Sequence, residues 1–188
     1  MRLINYLWYG KSIFAYLLLP FTLIFFLLSL FRRLFYRLGI LKTYYLDVPL
    51  IVVGNITVGG SGKTPLVVWM ADYLKAKGFK PGIISRGYGG KAKKWPQQVR
   101  PDSDPIAVGD EAILLSRRTN CPMAVGPDRF QAGEALLKNT DCDILLSDDG
   151  LQHYRLGRDI EIAVIDGRRR FGNGLLLPAG PLREGVWR

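Results

Sequence analysis

The stretch from residue 55 to 64 reads NITVGGSGKT and follows the apolar run PLIVVG at 49–54. Glycines at 59, 60 and 62 let backbone N–H groups converge on phosphate oxygens without interference from Cβ atoms, and the start of a following helix adds favourable electrostatics. In such a loop the Lys63 ammonium reaches the outer phosphates and the Thr64 hydroxyl binds a magnesium ion. The pattern G-x-x-x-x-G-K-[ST] is met except at its first glycine, where Thr57 stands. An apolar strand before the loop and a helix after it separate a nucleotide site from an ordinary glycine-rich turn, and the sequence supplies both. Thr57, Val58, Gly59, Gly60, Ser61, Gly62, Lys63 and Thr64 are therefore the candidate phosphate-binding residues.

Such a loop works with an acidic residue at the end of a neighbouring strand, which helps to hold the metal. The run DILLSDD at 143–149 provides two, Asp148 and Asp149, just past an apolar segment. Alone, Asp-Asp-Gly is a common turn; beside the Lys63 motif it becomes a candidate metal site. Three further stretches are polar beyond what packing requires. SRGYGG at 85–90 sets Arg86 and Tyr88 after a strand, GDE at 109–111 sets Asp110 and Glu111 at a helix start, and GLQHY at 150–154 holds the one histidine, His153. Two of them have a plainer reading: a helix cap and dipole contact for the acids, a hydrogen-bonding structural residue for the histidine. Arg168, Arg169 and Arg170 read as a solvated basic patch. Cys121 and Cys142 lack metal-type spacing and read as two buried thiols.

The elements that must position these residues follow from periodicity. Short apolar runs at 49–54, 81–85, 122–125, 143–147 and 160–165 read as strands, and 63–77, 110–118 and 128–139 as helices between them. Strands apolar on both faces and separated by helices imply a parallel sheet covered on each side, with ligands beyond the strands' carboxyl ends. The polar, basic segment 86–105 reads as a long surface loop. The expected fold class is α/β, a P-loop NTPase-like parallel sheet covered by helices.

Before that domain, Ile13 to Phe31 runs 19 residues without a charge, enough for a helix to span about 28 Å of hydrocarbon. No Ala-x-Ala-like cleavage site follows it, so a retained N-terminal membrane helix is expected rather than a signal peptide. Arg2 and Lys11 precede the segment, and Arg32, Arg33, Arg37 and Lys42 follow, which places the main domain on the cytoplasmic side. The aromatic and basic stretch 31–45 suits an interfacial continuation. The expected division is 1–47, anchor and interfacial segment, and 48–188, the P-loop domain. The net charge of +10 is shared equally between 1–48 and the remainder, which favours an anionic lipid surface as partner. Neither a nucleic-acid module nor a protein partner is legible.

Taken in this order, VVGNITVGGSGKTP (52–65), SRGYGG (85–90), VGDEA (108–112), DDGLQHYRL (148–156) and DGRRRFGNGLLLPAGPLRE (166–184) resemble the tetraacyldisaccharide 4'-kinases of lipid A biosynthesis. That family carries Ser or Thr where other loops have the first glycine. The resemblance implies Mg²⁺-dependent transfer of the ATP γ-phosphoryl group to the 4'-hydroxyl of a tetraacyl disaccharide 1-phosphate, the lipid A precursor, at the cytoplasmic face of the bacterial inner membrane. By the same resemblance Lys63 binds phosphates, Thr64 and Asp148 hold Mg²⁺ with Glu184 assisting, Asp110 is the general base, and Asp149 lies near the reacting groups. Arg86, Arg129, Gln152, His153 and Arg183 are implied substrate contacts. Family members continue past PLRE into a further lobe, which holds the histidine that pairs with the catalytic aspartate. The chain given is therefore expected to bind nucleotide yet to be weak or inactive alone. Two rival readings are a partitioning-type ATPase switch, which lacks support because neither Thr57 nor Val58 is the lysine such switches carry, and a noncatalytic membrane-bound fragment.

Overall fold

The computed structural model describes residues 2–10 and 13–187; Lys11, one of the flanking cations, lies outside them. Two compact units are present, one of residues 43–54 and 63–162, the other of 1–42, 55–62 and 163–188.

The first unit is built on a six-stranded sheet in the order β3-β4-β2-β5-β1-β6. Its strands are β1 (Leu50–Gly54), β2 (Pro81–Ser85), β3 (Gln97–Val99), β4 (Met123–Val125), β5 (Ile144–Asp148) and β6 (Ile160–Ala163). Every residue of β1 and β5 is buried, as continuous apolar runs covered on both faces require. The two strands pair in parallel, with Val53 opposite Asp148, so the chain leaves both at the same edge of the sheet. Helix α3 (Lys63–Ala76) packs against β1, β2 and β5, and α6 (Arg129–Asn139) against β2 and β4. The short α4 (Pro105–Val108) leads into α5 (Asp110–Thr119), which packs on α3. Asp128 caps α6 through Oδ1, and Asn120 closes α5 in a left-handed conformation, φ 48°.

The sheet is not wholly parallel. β3 pairs antiparallel with β4 at one edge, inside the segment expected to be a surface loop. Three residues with a single buried side chain, Val99, give too short an alternation to stand out among prolines and lysines.

In the second unit the apolar run is divided. Ile13–Leu18 forms a 3₁₀ helix, and only at Leu19 does α2 (Leu19–Arg37) begin, after α1 (Arg2–Tyr9). Pro20 dictates this: in the first turn of α2 its missing N–H breaks no helical hydrogen bond. The helix then continues through Arg32 and Arg33 to Arg37. Its 19 residues, which include an 18-residue stretch with a mean hydropathy of 1.5, are long and apolar enough to cross a membrane by length and composition. Phe21, Leu23, Ile24 and Leu28 are exposed, whereas Thr22 is buried and ties the helix to the chain's last segment. Its hydroxyl donates to Leu176 O (3.3 Å) and accepts from Ala179 N (3.1 Å).

The turn after β5 is organised by one guanidinium. Arg158 donates to the carbonyls of Leu151 (3.0 Å), His153 (2.6 Å) and Leu156 (2.9 Å) and pairs with Glu161 (2.9 Å). An arginine fork fits several acceptors at once where an ammonium does not. Arg158→Ala is therefore expected to lower stability by about 2–4 kcal/mol, with Arg158→Lys recovering less than half, measured by urea unfolding.

Candidate functional site

Lys63, Thr64, Glu111, Asp148 and Asp149 come together at the carboxyl edge of β1 and β5. Lys63 is the first residue of α3, and its Nζ lies 3.7 Å from Asp149 Oδ1. The two adjacent aspartates have different surroundings. Asp148 is the last residue of β5 and 2% exposed, while Asp149 turns out of the strand with φ 51°, a conformation aspartate tolerates, and its side chain is 39% exposed. Burial raises the Asp148 pKa to about 7; the Glu111 charge pushes the same way, and Lys63 opposes them. Asp148 Oδ1 has no hydrogen-bond partner among the described residues.

The Thr64 hydroxyl donates to Glu111 Oε1 at 2.8 Å. Asp110 is exposed at the first position of α5, so its neighbour, not Asp110, meets the Thr64 hydroxyl. Gly109 sets this helix start: φ is 92°, and a Cβ there would sit 2.3 Å from the Tyr88 carbonyl oxygen. The SRGYGG and VGDE motifs are thus packed backbone against backbone. Lys91 N donates to Ile106 O at 2.7 Å beside that contact. Arg129 is buried and donates from Nη2 to the Asp149 carbonyl at 3.0 Å; burial lowers its pKa, and the Asp149 charge counters this. The Arg86 charge acts on Arg129 as well. His153 stands 3.9 Å and Arg155 3.2 Å from Asp128, and Gln152 lies half-buried in the same turn.

The glycine loop, residues 55–62, belongs to the other unit and pairs there with the PLRE segment. Thr57 bridges antiparallel to Leu182, Val58 N donates to Pro181 O (2.8 Å), and Arg183 N donates to Ile56 O (2.7 Å). This explains the missing first glycine. Thr57 sits in a strand-like bridge with no positive φ, is 7% exposed, and needs no glycine. Positive φ occurs instead at Gly59 (111°) and Gly62 (83°). Val58 is removed from the amide set by its bond to Pro181. Among the described residues no acceptor takes the amides of Gly59, Gly60, Ser61 or Gly62. Glu184 is buried in this unit beside half-buried Arg183.

Three residues with a part in this arrangement were assigned no site role from sequence. Glu111 was legible only as half of an acidic pair at a helix start. Asn55, fully buried with Nδ2 donating to Gly59 O at 3.0 Å, braces the loop from within. Arg158 was missed because, apart from Glu161, its acceptors are main-chain carbonyls.

The residues fit a magnesium ion. Among the described residues no three carboxylate, histidine or cysteine side chains cluster as a ready-made cage. Magnesium bound with a phosphate ligand uses one or two carboxylates and keeps waters. A buried carboxylate with an open oxygen, next to a hydroxyl and a second carboxylate, is that kind of partial site.

Comparison with known proteins bears on the same residues. The family model described as Tetraacyldisaccharide-1-P 4'-kinase matches residues 14–188. A tetraacyldisaccharide 4'-kinase of Nitrosococcus oceani is 59% identical over 94% of this chain and 52% of its own length. That of Aeromonas salmonicida is 53% identical over 99% and 56%. Among solved structures, the "apo" form of LpxK from Aquifex aeolicus in complex with ATP matches with a TM-score of 0.83 and 34% identity, over 93% of this chain and 56% of that one. The chain spans about half the length of the curated relatives it matches. The glycine loop with its threonine, the paired aspartates and the PLRE segment all fall within the matched residues, and the chain belongs to the tetraacyldisaccharide-1-P 4'-kinase family.

Proposed function

We propose that this chain binds Mg²⁺–ATP and serves transfer of the γ-phosphoryl group to the 4'-hydroxyl of a tetraacyldisaccharide 1-phosphate. The observation that carries the reading is the pairing of Lys63 with Asp149 beside the buried, open-sided Asp148 carboxylate. The ATP in the solved relative and the relatives' names support it.

In this reading the amides of Gly59 to Gly62 and the Lys63 ammonium take the phosphate chain, and Lys63 exchanges Asp149 for phosphate oxygens. Thr64 and Asp148 are the metal ligands, with Glu111 accepting from Thr64 and Glu184 assisting from the PLRE segment. A magnesium ion held there supplies positive charge against the negative charge that develops during transfer. Asp110 is the proposed base on the sugar hydroxyl, and Asp149, once released by Lys63, stands near the reacting groups. Arg86, Arg129, Gln152, His153 and Arg183 are proposed contacts to the disaccharide and its phosphate, where guanidinium forks suit phosphate oxygens.

A lipid substrate gives the exposed apolar helix α2 a purpose. Inserted in the bacterial inner membrane with the catalytic domain on the cytoplasmic face, it would hold the loop at headgroup depth. The proposed division of labour is an anchor and interfacial segment over 1–47 and a kinase domain over 48–188.

Transfer of label from γ-³²P-ATP to disaccharide 1-phosphate in mixed micelles tests the reading, on this chain and on one extended to its relatives' length. The extended protein is expected to label the lipid, and its Lys63→Ala variant to be at least about a hundredfold slower. An extended protein that leaves the lipid unlabelled refutes the assignment. Stability carries a second prediction. A carboxyl whose folded pKa is raised from its usual 3.8 to about 7 loses stability as pH rises between those values, because the folded state must give up a proton it holds more tightly. Without nucleotide, Asp148→Asn is expected to be more stable than wild type by a few kcal/mol at pH 8, the gap closing toward pH 4, by urea unfolding across that range. A constant gap across that range contradicts the buried, uncompensated carboxylate.

A further inference from the structure

The Arg168–Arg170 run is the cationic cluster that the proposed function leaves unused. It lies on a turn built by Asp166, whose Oδ1 accepts from the amides of Arg168 (2.9 Å) and Arg169 (2.8 Å) and whose carbonyl accepts from Arg170 N (2.8 Å). Arg169 stacks over the Tyr9 ring, its guanidinium carbon 5.8 Å from the centroid. Tyr9 is placed by the residue before it: Trp8 Nε1 donates to Pro178 O (3.0 Å), and Trp8 O accepts from Asn173 N (2.8 Å). Arg169 Nη1 then reaches the glycine loop. It lies 3.8 Å from the point where a Cβ on Gly59 would stand, and beyond Gly59 and its two chain neighbours no other described atom comes within 4 Å of that point.

The side of Gly59 where a Cβ would stand is therefore open except for a guanidinium. That guanidinium has no carboxylate within ion-pair distance among the described residues, whereas Lys63 is paired with Asp149. Main-chain amides at positive φ with an arginine fork beside them form the donor set that binds phosphate oxygens. We propose that Arg169 is a phosphate-binding residue of the glycine loop, contributing a cation to the nucleotide's phosphate chain in addition to Lys63. This rests on the nucleotide reading above and adds to it. It also gives α1 a role, since Tyr9 fixes the reach of Arg169. The same chemistry would suit a lipid phosphate, because Tyr9, Arg168, Arg169, Arg170 and Gly172 line an open cavity of ≈ 520 Å³. The nucleotide is favoured because Arg169 is the arginine that meets Gly59.

The test is Mg²⁺-dependent binding of a fluorescent ATP analogue to the full chain in micelles free of anionic lipid, with co-sedimentation on phosphatidylglycerol vesicles as a second arm. Arg169→Ala is expected to weaken nucleotide binding about tenfold and Arg169→Lys by less, with Arg168→Ala within about twofold of wild type. Should Arg169→Ala unfold without nucleotide, Arg169→Lys carries the test, since it keeps the charge and loses only the fork. Unchanged affinity in the Arg169 variants while Lys63→Ala is weakened overturns this proposal alone. Unchanged affinity in all of them, Lys63→Ala included, overturns the nucleotide reading too. Loss of vesicle binding with nucleotide affinity intact assigns the guanidinium to a lipid phosphate and also overturns the proposal.

Discussion

The candidate site depends on one carboxylate kept out of water. Asp148 ends a strand in which every residue is buried, between β2 and β1 in the middle of the sheet. Placing it there costs free energy, as its raised pKa shows, and the fold accepts that cost without giving Oδ1 a partner of its own. Protein groups that could relieve the burial do so only in part. Lys63 is drawn toward Asp149, and Thr64 is bonded to Glu111. Destabilisation held in this way is what a cation and phosphate oxygens would relieve, and perturbed carboxylates collect at sites of chemistry for that reason.

The second constraint concerns the main chain. In the unit that carries the glycine loop, Asn55 and the Thr57–Leu182 bridge fix the loop's entry and Pro181 consumes the Val58 amide, so the free amides begin at Gly59. The PLRE segment is thus a structural partner of the loop as well as a source of Arg183 and Glu184. The close packing of Gly109 against the Tyr88 carbonyl plays the matching part in the other unit. There, two motifs far apart in sequence are conjoined by backbone contact that any larger residue would break.

Much of this was legible in the sequence because the signals were local. The fully buried β1 and β5, the helix starting at Lys63 and the acids ending β5 all follow from apolar runs, a glycine loop and strand ends. What escaped was set by tertiary contact. Edge strand β3 has too few residues to show a period, and its pairing depends on β4. Pro20 signals a helix start as readily as a membrane kink, and only the observed 3₁₀ segment before Leu19 decides between them. Glu111 and Asp110 are equivalent in sequence until helix geometry turns one of them toward Thr64. Arg158 and Asn55 act on carbonyls, which leave no pattern in side-chain types.

The central claim, that main-chain amides of the glycine loop grip phosphate next to Lys63, is tested most directly by amide hydrogen exchange with and without Mg²⁺–ATP. The account predicts slowed exchange at Gly59, Gly60, Ser61 and Gly62, with Val58, already bonded to Pro181, changing little. Exchange at those four amides that is unaltered by saturating Mg²⁺–ATP would contradict it.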